Sequence, residues 1–551
     1  MEKRTILAIV LCIAVWLIWQ TLLVKPPPQR ADGGVADGGM AQQAEGPSGV
    51  ASDGGSGVEQ EEVKPPDKRP AEKTATLETA GYQAVFTSRG AALKALYLKN
   101  YRARSNEKGL LDETENIVRV EDEQRLPLRI SFRKEKDGLD LPHYSDWEIL
   151  TADGQRVVFQ WQPSVDRTIT IRKSFSKTEV PYALEMEVEI ANGSDRSIPE
   201  QILVNLSTLY QPPPTSGCFG APAQPTTAAC MANGNVERRK AEPGKKTTLE
   251  PQVNWTGIDE QYFLLAAVPL GVSKAACILE ADQHLLLASR LMLPQQQLPP
   301  GGKAEHRFRI FAGPKKLRAL QAVTGGTAGD EKPAGLDKSV DFGWFSILCY
   351  PMLWALKTFN GWVGNYGIAI IFLTILIKLL LLPLTHKSMK SMKDMAKLKP
   401  LMEELKKKYK DDKQRLNQEM MNLYKIHKIN PLGGCFPMLL QMPIWIALYR
   451  MLYSSVELYQ TPFIAGWIDD LSWRDPYFIM PIVLGLAMFL QQKLSPTSVD
   501  SQQAKMMMYA MPVFMTFIML YLPSGLVLYI FVNSLLSIGH QLLLNRSGAT
   551  G

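Results

Sequence analysis

The chain has 551 residues, enough for more than one domain, and carries 61 Lys and Arg against 54 Asp and Glu, a net charge of +7. So small a bias gives composition no voice for nucleic-acid binding, and DNA is not an expected partner. The mean hydropathy of −0.08 averages a polar middle with a C-terminal third of long apolar runs, so it does not exclude a membrane protein.

Residues 6–24 form an apolar run of 19 residues without a charge, behind a short charged start. At about 1.5 Å per residue such a run crosses a hydrocarbon core. A cleaved signal peptide is the competing reading, but the run is long for one and no small-x-small cleavage site follows directly. Residues 1–24 are therefore expected to be an uncleaved anchor with its N-terminus in the cytoplasm. Residues 25–73 are rich in Pro, Gly, Ala, Asp and Gln, cannot bury enough apolar surface to fold, and read as a flexible periplasmic linker.

Over residues 74–314 the pattern changes to short alternating runs separated by turn residues such as Asn192-Gly193. Many short strands with regular turns predict an all-β sandwich, lying outside because it follows the first span. His143, His284 and His306 have no metal-like spacing, and no C-x-x-C pair occurs among the six cysteines; neither a metal nor a cofactor is expected. Cys218 and Cys230 flank a Pro/Thr/Ala-rich stretch and either form a disulfide or remain free thiols. Residues 315–340 read as a connector, and 341–361, with Trp344, Trp354 and Lys357, as an interfacial amphipathic helix.

Residues 366–544 read as a five-span core, with spans at 366–384, 437–456, 477–494, 506–522 and 524–544. Between the first two lies a basic segment. Residues 387–428 hold thirteen Lys and Arg against six Asp and Glu, a local balance of +7. Leucine and methionine stripes divide the segment, taken as 386–429, into a helical hairpin joined near Lys410-Asp411-Asp412-Lys413. Its cations Lys406, Lys407, Lys408 and Arg415 suit anionic lipid headgroups or ribosomal RNA, against the plainer reading of a solvated charged face. With an internal N-terminus the hairpin is cytoplasmic, the acidic 457–475 loop is external, and the C-terminus, with a short tail over 545–551, is internal. The positive-inside rule agrees at both loops. The whole is six spans, N-in and C-in, with a large external β domain.

Lys378 sits inside an otherwise apolar span. A charge at the centre of a lone spanning helix costs roughly 2.5–3.5 kcal/mol on insertion scales. Either it faces a wet or polar interior or its ammonium snorkels to the interface. Thr374, four residues earlier, shares its face. Tyr529, Asn533, Ser537 and His540 form a polar stripe on the last span, and Gln441 in the third can join it. In lipid such groups face a partner or water, as a groove or as interhelical glue. No phosphate loop, H-E-x-x-H or nucleophile elbow occurs, so nothing supports an ATPase or hydrolase.

The chain resembles the YidC-type membrane protein insertases of bacterial inner membranes over nearly its whole length. The resemblance rests on Arg4-Thr5-Ile6-Leu7 with Trp19-Gln20, Gln261-Tyr262-Phe263, Val340-Asp341-Phe342-Gly343-Trp344 and Val363-Gly364-Asn365. It continues in Asp411-Asp412-Lys413-Gln414-Arg415, Gln418-Glu419-Met420-Met421, Asn430-Pro431-Leu432-Gly433-Gly434-Cys435, Gln441-Met442-Pro443 and Pro523-Ser524-Gly525-Leu526-Val527-Leu528-Tyr529. It implies an insertase and chaperone, not an enzyme, that integrates inner-membrane proteins through a positively charged hydrophilic groove, alone or with the Sec translocon. Implied partners are nascent membrane proteins, membrane lipids and the ribosome. The chain stops soon after Arg546, so tail-mediated ribosome docking is not expected. The family usually has Arg where this chain has Lys378, and Thr374 and Tyr529 match its substrate-contact positions. A small-solute transporter is the alternative, but no paired intramembrane carboxylate and no repeated halves support it. A receptor whose sandwich binds sugar or peptide is a third reading.

Overall fold

The computed structural model describes residues 69–547 apart from 106–108, 136–137, 164–167, 211–223, 241, 243, 251, 273, 283–285, 327–331, 411, 428–435 and 495–500. The expected anchor over 6–24, most of the linker, Cys218 and the motif at 430–435 lie outside the described residues.

The first half is β-rich and antiparallel. A nine-stranded sheet runs in the order Asn235–Arg239, Thr227–Ala232, Val253–Asp259, Phe263–Leu270, Lys303–Pro314, Ala183–Asn192, Ile169–Lys177, Arg156–Trp161 and Glu148–Ala152. A five-stranded sheet, from Lys246–Leu249 through Ala276–Ala281, Leu286–Met292 and Ile202–Leu209 to Ile130–Phe132, packs against it. A four-stranded sheet of Thr74–Glu78, Tyr82–Thr87, Ala92–Ser105 and Gly109–Asn116 completes the domain. The period of two decides which face is buried. In Ala183–Asn192, Leu184, Met186, Val188 and Ile190 are buried while Glu185, Glu187 and Glu189 are not.

Cys230, in Thr227–Ala232, forms a disulfide with Cys277, in Ala276–Ala281, 47 residues away. The bond joins the nine-stranded to the five-stranded sheet. This corrects the expectation that Cys230 either pairs with Cys218 or is free: face-to-face packing brings Cys277 to Cys230, and sequence proximity plays no part.

Strand Phe263–Leu270 carries two cores. Phe263, Leu265 and Ala267 face the sandwich interior. Leu264, Ala266 and Val268 belong to a second cluster with Leu320, Leu336, Val340 and Phe342, which continues into the helical half. The described residues of 315–340 are therefore packed, with a short helix α1 (Leu317–Gln321) and a pairing of Thr324–Gly325 with Lys332–Pro333.

The helical half contains α2 (Ser346–Val363), α3 (Tyr366–Lys397), α4 (Lys399–Lys408), α5 (Lys413–Ile426), α6 (Phe436–Ser454), α7 (Ile479–Leu494), α8 (Ser501–Met519) and α9 (Ser524–Ser547). Among the described residues, Tyr366–Lys397 and Ser524–Leu544 are long and apolar enough to cross a membrane. Ile479–Leu494 and Met508–Met519 are shorter apolar helices. Helix α2 buries Cys349, Leu353 and Leu356 and exposes Ile347, Trp354 and Trp362. The Val363-Gly364-Asn365 motif is a helix-to-helix joint. Gly364 takes φ +67° to end α2, and Asn365 accepts from Ile368 N at 3.1 Å to cap α3. Helix α3 runs through Pro383, which cannot donate to the preceding turn. Thr385 Oγ1 donates to the carbonyls of Leu381 and Leu382, both at 3.0 Å. At about 1.5 Å per residue, its 32 residues exceed a hydrocarbon core, so one continuous helix runs from the apolar segment into the first part of the expected hairpin.

Candidate functional site

Helices α3 and α9 lie side by side and run in the same direction. Lys378 meets Asn533 and Ser537, His386 meets His540, and Lys393 Nζ reaches the Leu544 carbonyl at 3.4 Å. Lys378 Nζ donates to Ser537 Oγ at 2.6 Å and to Asn533 Oδ1 at 3.3 Å. Ser537 Oγ donates to its own helix at Asn533 O, 2.8 Å, leaving a lone pair for the lysine. An ammonium has three donors, so one remains for water or an incoming acceptor. Among the described residues no carboxylate pairs with Lys378, and the ammonium is only partly enclosed.

Of the other expected groove residues, Thr374 on α3 and Tyr529 on α9 are buried, and Gln441 on α6 is half-buried. Thr374 is 1 % exposed, and its hydroxyl donates to Ile370 O at 2.7 Å. Tyr529 is 2 % exposed, and its hydroxyl lies 3.5 Å from Gln441 Nε2 on α6. Lys378 and Asn533 thus form one polar tier and Gln441 and Tyr529 another. Among the described residues, Thr374 makes no side-chain hydrogen bond to either tier. Ser537, the shorter of the Lys378 contacts, was visible in the sequence only as one position of the stripe.

The hairpin cations are a separate group. Lys406, Lys407 and Lys408 occupy the last turn of α4, and Arg415 the first turn of α5. Lys408 and Arg415 both approach the Tyr409 ring, at 5.4 and 5.6 Å. Asp412 caps α5 by accepting from Arg415 N at 3.0 Å, and the arms touch where Tyr424 meets Met402.

At the opposite end of α3 the loop after α6 is built into the β domain. Val456 and Tyr459 belong to the sandwich core, and Tyr459 stacks on Tyr262 at 4.2 Å. Arg104, from strand Ala92–Ser105, lies between the Tyr459 and Trp473 rings at 4.6 and 4.7 Å and forms an ion pair with buried Asp470. The same carboxylate accepts from Gln460 N, Ser472 N and Ser472 Oγ at 2.7–3.1 Å. Gln261 Nε2 and Tyr262 OH both donate to Tyr453 O, at 2.9 and 3.1 Å, so the Gln261-Tyr262-Phe263 motif satisfies an end carbonyl of α6. Burial pushes the Tyr101 and Tyr459 hydroxyls up, keeping them neutral. The loop in turn supports α3 and α9: Phe463 O accepts from Asn365 Nδ2 at 3.1 Å, and Leu471 O and Trp473 O accept from Gly525 N and Ser524 N. Sequence reasoning missed this junction. Its signals were the acidic character of the loop, whose partner Arg104 is remote in the chain, and the Gln261-Tyr262-Phe263 motif, whose contacts no local pattern supplies.

Two family models together match most of the chain: the "YidC periplasmic domain" over residues 74–355 and the "60Kd inner membrane protein" over 358–550. The membrane protein insertase YidC of Syntrophus aciditrophicus (strain SB) is 37 % identical over 565 residues, spanning 99 % of this chain and all of the relative. The same-named protein of Anaeromyxobacter sp. (strain K) is 37 % identical over 488 residues, 86 % of this chain and 85 % of the relative. A solved structure of an active YidC insertase with its first transmembrane domain aligns at 19 % identity with TM-score 0.38, covering 86 % of this chain and 93 % of the other.

Proposed function

The chain belongs to the YidC family of membrane protein insertases, and on that premise we propose that it integrates nascent inner-membrane proteins through a hydrated groove between α3 and α9, without enzymatic turnover. The observation that carries the reading is Lys378: a cation held by two neutral side chains, with donor capacity left over. A charge so placed attracts acidic residues of an incoming segment. The groove shortens the apolar path that a polar segment crosses, against about 30 Å of hydrocarbon, and the substrate helix then moves into lipid by apolar burial. The arrangement is six spans, N-in and C-in, in the bacterial inner membrane. The parallel course of α3 and α9 supports it, because two spans of the same sense have an odd number of crossings between them, here the three expected at 437–456, 477–494 and 506–522. The hairpin cations face the cytoplasm and receive nascent chains from the ribosome or contact anionic lipid, and the Sec translocon is a further partner. The β domain serves as a scaffold that fixes the outer loop.

Insertion of matched substrates with acidic and neutral translocated segments, at equal insertase abundance, tests the groove. Two unit charges about 6 Å apart at an effective dielectric of about 20 interact by about 3 kcal/mol, an upper limit of about a hundredfold. Lys378→Arg should retain insertion. Lys378→Ala should impair the acidic substrate most, and Lys378→Glu should be worse. Equal insertion of both substrates by all three variants would make Lys378 a snorkelling anchor.

A further inference from the structure

About two turns beyond Lys378 on α3 and one turn beyond Ser537 on α9, the same two helices bring together a pair of histidines that the insertion mechanism does not use. His386 Nδ1 lies 3.4 Å from His540 Nε2, with the rings 5.6 Å apart and inclined by 27°. Two neutral imidazoles so placed share either a proton or a cation. The spacing decides between ion geometries. Bonds of about 2.0–2.1 Å at the tetrahedral angle set two ligand nitrogens about 3.3–3.4 Å apart. A right-angled octahedral edge needs only about 2.9 Å with the same bonds.

We propose that His386 and His540 form a binding site for one divalent transition-metal ion of the zinc class, which cross-links α3 to α9. Imidazole nitrogen suits zinc, copper and nickel rather than magnesium or calcium. Among the described residues no third His, Cys, Asp or Glu joins the pair, so water completes the coordination. His540 Nδ1 is enclosed without a protein partner and carries the ring proton when Nε2 ligates. With no acceptor fixing that proton, the site is weaker than a structural zinc centre. The lysines hydrogen-bonded across this interface keep their charge and oppose a bound cation, which further limits the affinity of the site. Lys378 is bound by Asn533 and Ser537, and Lys393 reaches the Leu544 carbonyl. Lys378 is also eight residues from His386 along α3, about 12 Å of helix rise.

The test uses the full chain in lipid nanodiscs. Co²⁺, which accepts the tetrahedral geometry of Zn²⁺, is followed by its visible d–d absorption, and Zn²⁺ serves as competitor and as the ligand in thermal unfolding. One Co²⁺ per chain should give the intense bands of a tetrahedral site and be displaced by the tighter-binding Zn²⁺, and Zn²⁺ should raise the unfolding midpoint. His386→Gln and His540→Gln keep polar side chains at the interface and should each weaken binding at least tenfold, whereas His143→Gln in the β domain should not. Binding that is unchanged in the double Gln variant overturns the site. A midpoint in the parent chain that does not respond to Zn²⁺ overturns the cross-link. Neither readout depends on insertion, so failure here is distinct from failure of the groove.

Discussion

Replacing Arg104 with Ala tests whether the β domain and the loop after α6 are one folded unit. Asp470 keeps only 7 % of its side chain exposed and Arg104 13 %, so the variant leaves a nearly buried carboxylate without its cation. Removing one partner of a buried pair costs about 3–5 kcal/mol. Loss of the guanidinium from between Tyr459 and Trp473 adds about 0.5–2 kcal/mol per ring. The backbone and hydroxyl donors of Gln460 and Ser472 remain on Asp470 and hold the loss near the lower end, about 4 kcal/mol. Arg104→Met with Asp470→Asn removes both charges, keeps an acceptor oxygen, and should recover more than half of that loss. The assay is reversible unfolding of the detergent-solubilised chain with all three variants, analysed as a double-mutant cycle, alongside limited proteolysis of the 455–475 loop. If Arg104→Ala shifts stability by less than about 0.5 kcal/mol, the range of an ordinary surface substitution, and leaves the loop equally resistant, the junction is a mere contact between independently folded parts.

Two further outcomes concern the β domain. Lys173 is wholly buried, donating to Ala91 O and Leu128 O, and burial followed by the Arg129 charge lowers its pKa well below the usual lysine value. The unfolded chain then holds a proton that the folded chain does not, from the lowered pKa up to about 10.5, so stability should rise with pH across that window. Chemical unfolding at a series of pH values should show this slope, and Lys173→Met should flatten it; the same slope in the variant would remove Lys173 as its source. Cys277→Ser opens a loop of 47 residues and should destabilise the domain by about 4 kcal/mol on loop-closure entropy, measured by urea unfolding. Reductant should shift the parent chain but not the variant, and a parent chain indifferent to reductant would refute the contribution.

Local pattern was enough for several features. The alternation of Glu185, Glu187 and Glu189 with Met186, Val188 and Ile190 predicts a strand and its buried face, because successive side chains on a strand point to opposite sides. Lys378 stands out in an apolar run because a charge there is costly wherever it faces lipid. The stripe from Tyr529 to His540 is legible because helical spacing places those positions on one face. Partnership is another matter. That Lys378 meets Ser537, that Cys230 joins Cys277, and that Arg104 reaches Asp470 follow from how helices and sheets pack after they form. The two faces of strand Phe263–Leu270, one in each core, make the same point. Its unbroken apolar run marks burial on both sides without saying against what, because apolar burial is non-directional. The choice of neighbour is made by shape and close packing in three dimensions, which no local window of the sequence contains.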